Sequence, residues 1–266
     1  MAPDSRDEAW APRRHVDPRV IPFEPWDLEV DGRTLFERRD EPGFEDVLAS
    51  AIALLRDGRA VTRSATPLPP ACRDIGAVVI GGGGASMRTC EAVRRVGLPA
   101  DLLPGAAYVG ERGGFGLLAA EHIGEGVVVD VGQSSIKISS SAGRVRIARA
   151  DYADDDVEVD GPTFLAHALD AAEITKERAH GLVIALPCAI DADGLLGSCS
   201  YTGFAGRIDL LAECLTRAGL AGVPTWVVND AELAALSAAE PSSYAPAATR
   251  LVLTVGFGVG GALLVA

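Results

Sequence analysis

The segment from Asp130 to Lys137 combines residue types that bind phosphate. Three valines precede Asp130, so an apolar strand is expected to deliver this carboxylate to a turn. Gly132 lets the backbone approach a phosphate closely, and Ser134 and Ser135 can donate hydroxyls to it. Asp130 can hold Mg²⁺ through water, as hard oxygen ligands do. A β-hairpin with a polar turn and no ligand explains the same residues.

Asn229 and Asp230 lie between an apolar run and an alanine-rich segment. This order predicts a strand that ends here and a helix that begins at once. A carboxylate placed there lies at the edge where open α/β sheets bind ligands. Because Asn and Asp are also good helix caps, a purely capping role is the alternative interpretation.

Two glycine-rich turns follow other apolar runs. Gly256, Gly258 and Gly260 form a turn without side-chain bulk, which backbone N–H groups could wrap around a phosphate. A bulged hairpin has the same composition. The second turn follows a short buried strand and precedes a helix, so a planar ring could lie on its backbone, or it could be a tight strand-to-helix turn. Its residues are Gly81, Gly82, Gly83 and Gly84.

The elements that must position these segments alternate along the chain. Strands are expected at 77–80, 127–131, 182–186, 225–228 and 251–255, and at 19–23 and 26–30 near the N-terminus. Helices are expected at 43–55, 87–96, 113–122, 162–174, 208–218 and 231–239. The alternation predicts an α/β fold. Two hairpin-like pairs, at 136–148 and 251–265, predict mixed sheets and not an all-parallel Rossmann sheet.

Charge and composition exclude several classes of partner. The net charge of −13 disfavours nucleic acid and anionic membrane surfaces, which need clustered Lys and Arg. Hydrophobic residues make up 48% of the chain, as in ordinary soluble proteins, and no apolar run is long enough for a membrane span. Five scattered cysteines predict neither a disulfide framework nor a zinc site, so a reducing cytoplasm is the simplest compartment.

Together, the four segments resemble the motifs of sugar kinases of the actin-like ATPase superfamily, nearest the ROK group (repressors, open reading frames, kinases). Asp130–Lys137 is similar to the phosphate-1 loop, D-x-G-x-[ST]-x-x-K, and Gly256–Gly261 to the phosphate-2 loop. Gly81–Gly84 resembles the adenosine motif. Pro224–Leu236 is similar to the ROK segment P-V-x-V-x-N-D-A-N-x-A-A-L. The resemblance covers about residues 75 to 266.

The resemblance implies ATP-dependent phosphoryl transfer to a sugar hydroxyl, with Asp230 as catalytic base and Mg²⁺ held by Asp130 through water. ATP and Mg²⁺ are the implied cofactors, a small sugar or sugar-like molecule is the implied partner, and a homodimer is left open. The implied cofactor contacts are Asp130, Gly132, Ser134, Ser135, Lys137, Gly256, Gly258, Gly260, Gly81, Gly82, Gly83 and Gly84. The implied substrate contacts are Asn229, Asp230, Pro187, Ser200, Thr202 and Gly203.

The order of the motifs differs from the family, because the adenosine motif comes first and the chain stops just after phosphate-2. A circular permutation explains this order. The resemblance then implies a two-lobed actin-like (ribonuclease H-like) α/β fold with mixed sheets and ATP–Mg²⁺ in the cleft. Residues 1–120 would form the second lobe including the adenosine motif, with their last helix returning to the first lobe. Residues 121–247 would form the first lobe with phosphate-1 and the catalytic Asp, and 248–266 the phosphate-2 hairpin of the second lobe.

Permutation also makes two spatial predictions. The N-terminal segment should pair near the strand Ala262–Val265, and Gly81–Gly84 should face the same cleft as Asp130 and Gly258.

Several departures from the family pattern keep other functions open. Phe257 replaces the threonine of phosphate-2, and Ser200 stands where a sugar-binding asparagine is common. The family's G-E-x-G-H and C-x-C-G-x-x-G-C signatures are missing. These differences favour a non-catalytic nucleotide or sugar sensor, or an interaction module, on the same fold. An ATPase that uses water as the acceptor is a third interpretation.

Overall fold

The computed structural model describes residues 10–132, 134–151, 160–191, 193–199, 204–239, 249–256 and 258–265. The chain forms two compact units, each assembled from segments far apart in sequence. The first unit contains the stretch up to His15 and Leu117–Val228, and the second contains Val16–Gly116 and Asn229–Ala266.

The described ranges contain the following elements. The strands are β1 Arg13–Arg14, β2 Val20–Phe23, β3 Glu29–Val30, β4 Arg33–Thr34, β5 Ile75–Gly81, β6 Ala100–Leu102, β7 Val127–Val131, β8 Ser135–Ser140, β9 Gly143–Ala148, β10 Leu182–Leu186, β11 Leu195–Cys199, β12 Phe204–Arg207, β13 Thr225–Asn229, β14 Thr249–Val255 and β15 Val259–Val265. The α-helices are α1 Leu35–Arg38, α2 Phe44–Arg56, α3 Met87–Arg95, α4 Glu111–Ala120, α5 Gly161–Ala171, α6 Leu211–Arg217 and α7 Asp230–Ala239.

The first unit is built on a six-stranded mixed sheet in the order β1-β13-β10-β7-β8-β9. β10 runs parallel to β7, whereas β7, β8 and β9 form an antiparallel meander. All five residues of β10 are buried, which explains its unbroken apolar run. α5 and α6 cover one face through Phe164, Leu165, Leu211 and Leu215.

The second unit is built on a five-stranded mixed sheet in the order β2-β15-β14-β5-β6. β14 pairs in parallel with β5 and antiparallel with β15. Alternate residues of β14 enter two cores: Leu251 and Leu253 pack with residues of α2 and α3, and Val252 packs with the alanines of α7. Burial of both faces accounts for the continuous apolar pattern of β14.

The pairing predicted for the N-terminal segment is confirmed. β2 lies antiparallel to β15, with Phe23 opposite Gly261 and Val20 opposite Leu264. The α/β class with mixed sheets is also observed.

Local differences from the sequence-based expectations have simple causes. Pro25–Asp27 forms a 3-10 turn, so only Glu29–Val30 remains of the strand expected at 26–30. The helix expected from residue 208 begins as a 3-10 turn at Ile208–Leu210 and becomes α-helical at Leu211. α7 lies within the segment 121–247 that was expected to form the first lobe, but it belongs to the second unit, because it packs on β14 and β15.

The cysteines differ from the sequence-based expectation at one position, because Cys188 is disulfide-bonded. Cys72, Cys90 and Cys214 are free and buried. Burial raises the pKa of Cys72 and of Cys214 to about 11, so both thiols stay protonated near neutral pH and are weak nucleophiles.

None of the helices within the described ranges combines the length and apolar character needed to cross a membrane.

Leu263 tests the core that the second sheet shares with α2 and α3. Its side chain is fully buried on β15. We expect Leu263→Ala to lower the free energy of unfolding by about 2–5 kcal/mol through lost apolar contact and a residual cavity. Leu195→Ala is the matched control, since Leu195 is 50% exposed, and should change it by less than about 0.5 kcal/mol. Equal effects in urea unfolding would contradict this packing.

Candidate functional site

The two glycine turns of the second unit meet at one edge of its sheet. β5 and β14 are parallel neighbours, so their carboxyl ends lie side by side. The Gly84 N–H donates to the Val255 carbonyl oxygen at 2.9 Å. The structure thus joins two segments that are about 170 residues apart in the sequence, at the kind of edge where α/β sheets bind ligands.

The four glycines of the first turn have different tasks. A side chain on Gly81 would overlap Val109, and one on Gly82 would overlap the Val255 carbonyl. Gly82 also has a φ of +96°, which favours glycine. Around Gly83, by contrast, no atom lies within 4 Å of where a side chain would begin. Gly81 and Gly82 therefore serve packing, while Gly83 leaves open space beside the sheet edge.

One backbone N–H group of the turn between β14 and β15 is engaged in a hydrogen bond within the turn itself. The Gly256 N–H donates to the Gly258 carbonyl at 2.9 Å, so this donor closes the turn. Phe257 lies outside the described residues. A Cβ atom on Gly258 would lie 4.0 Å from Phe36 Cδ2, so the turn lies close to the Phe36 ring. The predicted wrapping of a phosphate by backbone amides thus has one donor fewer than the composition suggests.

Gly260 brings Asp230 next to this hairpin. The Cβ position of Gly260 is 3.7 Å from Asp230 Oδ1, and a side chain there would overlap the Thr254 hydroxyl. Sequence inspection did not single out Thr254, although a hydroxyl in the apolar run before a glycine turn was the available signal. Asp230, Thr254 and Gly260 therefore form one cluster within the second unit.

Asn229 is the residue that caps α7. Its Oδ1 accepts hydrogen bonds from the N–H groups of Ala231 at 2.9 Å and Glu232 at 3.4 Å. The Asn229 N–H in turn donates to Glu232 Oε2 at 3.0 Å. This reciprocal arrangement is a capping box. The capping interpretation is thus correct for Asn229, which shares the Ala231 N–H with the Asp230 carboxylate.

Asp230 occupies the first position of α7 and is half-buried. Its Oδ1 accepts a hydrogen bond from the Ala231 N–H at 2.7 Å. A fixed carboxylate beside a glycine hairpin can accept a proton from a bound hydroxyl group.

In the first unit, Asp130 and Lys137 form an ion pair. They lie opposite each other on β7 and β8, and Lys137 Nζ donates to Asp130 Oδ2 at 3.0 Å. Both side chains are about one-fifth exposed, at 20% for Asp130 and 19% for Lys137. The pair holds one carboxylate and one ammonium group at the carboxyl end of β7.

The turn after β7 is closed largely by its own backbone. The Gly132 N–H donates to the Ser135 carbonyl at 3.0 Å, and the Ser134 carbonyl accepts from the Arg149 N–H at 2.8 Å. The Ser135 side chain is buried. The N–H of Gly132, where the backbone was expected to approach a phosphate closely, is therefore engaged within the hairpin.

Some of the predicted sugar contacts lie outside the described residues. Pro187 follows directly after β10, whose Ala185 lies opposite Asp130, and it is half-buried. Ser200, Thr202 and Gly203 lie outside the described residues. The structure thus places Pro187 at the same sheet edge as Asp130 within the first unit.

No protein-family model matches the sequence, and no curated protein is significantly similar to it. The chemistry of the site is therefore inferred from its own residues and contacts.

Gly82 and Gly83 form a matched pair for testing the glycine turn. Gly82→Ala would place a methyl group against the Val255 carbonyl at a positive φ, so we expect a loss of stability above about 1 kcal/mol. Gly83→Ala has room for the methyl group and should leave the unfolding free energy nearly unchanged. Denaturant unfolding of both variants measures the difference, and a destabilised Gly83→Ala with a stable Gly82→Ala would refute the assignment.

The capping assignment predicts different stabilities for two adjacent substitutions. Asn229→Ala removes the acceptor of two helix N–H groups and should cost about 0.5–2 kcal/mol. Asp230→Asn keeps the shape and should leave the melting temperature within about one degree, because the cap is intact. Thermal unfolding followed by circular dichroism measures both, and the reverse ranking would assign the cap to Asp230.

Proposed function

We propose that this chain is an ATP-dependent phosphotransferase with a circularly permuted actin-like fold, which transfers a phosphoryl group to a sugar hydroxyl. The observation that carries the proposal is the contact between the two glycine turns at the edge of β5 and β14. Asp230 lies beside the same hairpin, next to Gly260.

The edge of the second sheet suits a nucleotide in two respects. Gly83 and Gly84 are exposed and carry no side chains, so a planar ring can approach their backbone. α3 begins shortly afterwards, with Ser86 as its cap, and the amino end of a helix favours a negatively charged group.

Asp230 is proposed as the general base. Asn229 and Glu232 form the capping box of α7, so the helix start keeps acceptors besides the Asp230 carboxylate. Its bond from the Ala231 N–H fixes the carboxylate in one orientation. The carboxylate would take the proton from the acceptor hydroxyl as that oxygen attacks phosphorus, and the proton would reside on Asp230 until product release.

The first unit suits a magnesium ion that is held mainly by phosphate and water. Mg²⁺–ATP supplies the phosphoryl group and offsets its charge when bound. Among the described residues, no three acidic, histidine or cysteine side chains come together, so no all-protein metal cage is expected there. Asp130 is a single carboxylate beside Lys137, which fits an ion contacted through water.

A nucleotide or sugar sensor without turnover is the second candidate. It is favoured by the amides of Gly132 and Gly256, because both are engaged inside their own turns. Fewer amides directed at a ligand would lower the stabilisation available to a transition state. A nucleotide or sugar would still bind through the groups of the site other than these two amides.

Replacement of Asp230 separates the two candidates. We expect Asp230→Asn to lower the rate of sugar phosphorylation by about 10²–10⁴-fold, because the basic carboxylate is lost while the shape is kept. ATP affinity should change little, since Asp230 is assigned to the acceptor. A coupled assay of ADP release over a panel of sugars gives the rate, and calorimetry gives the affinity.

Asp74→Asn, an exposed site in the second unit, is the control and should match the wild type. An active wild type with an unimpaired Asp230→Asn would reject the base assignment. A wild type that binds ATP but phosphorylates no sugar would favour the sensor.

A further inference from the structure

Three charged side chains form a row across one face of the first sheet. Asp130 lies opposite Lys137, and Lys137 lies opposite Arg146 on β9. Residues directly opposite each other in neighbouring strands share a face, so all three side chains belong to the same side. The residues that alternate with them, Ile136 and Ile147, pack toward the core of the first unit.

Arg146 is anchored to the turn at one nitrogen. Its Nε donates to Ser135 Oγ at 3.1 Å, and Ser135 is only 4% exposed. This is the one hydrogen bond of the Arg146 side chain within the described part of the chain. The two terminal amino groups of the guanidinium remain, on an exposed residue, in the fork geometry that matches phosphate oxygens.

The row carries a charge arrangement that a sheet does not need for stability. Lys137 and Arg146 are like charges in directly opposite positions, which is unfavourable in a sheet. Asp130 offsets one of the two, so the row keeps one net positive charge beside the Gly132 turn. The protein as a whole carries −13, and Lys137 is one of only two lysines. A bound anion would remove the repulsion.

We propose that Arg146 and Lys137 bind a phosphoryl group of a polyphosphate chain, with Ser135 holding the arginine in place. Arg146 would give two parallel N–H bonds from its terminal amino groups, and Lys137 Nζ would add a point charge. That the polyphosphate belongs to ATP rests on the proposed function. The sequence alone does not indicate Arg146 as part of the site, because only the register of β8 and β9 places it opposite Lys137.

The test is calorimetric titration with inorganic triphosphate and with ATP in the absence of sugar. Arg146→Gln should weaken both affinities by about tenfold, because charge-assisted hydrogen bonds are lost, and should leave adenosine binding unchanged. Arg144→Gln is the matched control. Arg144 carries the same charge and lies on the same face of β9, but it is two residues from Arg146 along the strand and lies opposite Ser139. Its effect should stay within about twofold, as for exposed charges.

A second variant tests the charge of the row directly. In metal-free buffer, Asp130→Asn removes the partner of Lys137, so triphosphate affinity should rise severalfold. If Asp130→Asn bound triphosphate more weakly than the wild type, the result would contradict a phosphate site at this row. Orthophosphate and a hexose phosphate should bind at least tenfold more weakly than triphosphate, and equal affinities would overturn the assignment to a polyphosphate.

The outcomes separate this inference from the proposed function. A wild type that binds triphosphate in an Arg146-dependent manner but phosphorylates no sugar supports this site and rejects the kinase. An Asp230-dependent kinase in which Arg146→Gln and Arg144→Gln bind triphosphate alike rejects this site and leaves the kinase. A wild type that binds no triphosphate also overturns the inference.

Discussion

The parallel pairing of β14 with β5 is the interaction on which the proposed site depends. Both strands are almost entirely buried, and their pairing aligns the ends of two segments remote in sequence. Because the carboxyl ends coincide, the turn after β5 must cross the end of β14, and only glycine fits at position 82. The open space at Gly83 and the hydrogen bond from Gly84 to Val255 follow from the same alignment.

The division of roles between Asn229 and Asp230 links the helix to the proposed chemistry. A helix start needs acceptors for its first N–H groups, and Asn229 with Glu232 supplies a complete capping box. The cap therefore does not rest on the neighbouring Asp230 carboxylate alone, and the proposal gives that group a chemical role besides its bond to the Ala231 N–H. In the first unit, by contrast, Asp130 and Lys137 neutralise each other, so charge there is arranged in pairs and rows across strands.

Sequence patterns predict the elements better than they predict the donors of the site. The valines before Asp130 and the apolar run 182–186 give β7 and β10, since short β-branched and apolar runs are typical of strands buried on both faces. The Asn229–Glu232 spacing also contains the capping box. The engaged amides of Gly132 and Gly256 were not predictable, since they depend on turn length and closure. The register that sets Arg146 opposite Lys137 is likewise a tertiary property.

The interleaving of the second unit has a consequence for how the chain reaches its folded state. β5 and β6 are synthesised well before β14, which fills the central position beside them, and β15 follows later still. Until then, the apolar strand β5 has an uncovered edge, and such edges template intermolecular association. The large sequence separation also slows folding. During biosynthesis the nascent chain therefore passes through an interval in which it depends on protection from aggregation.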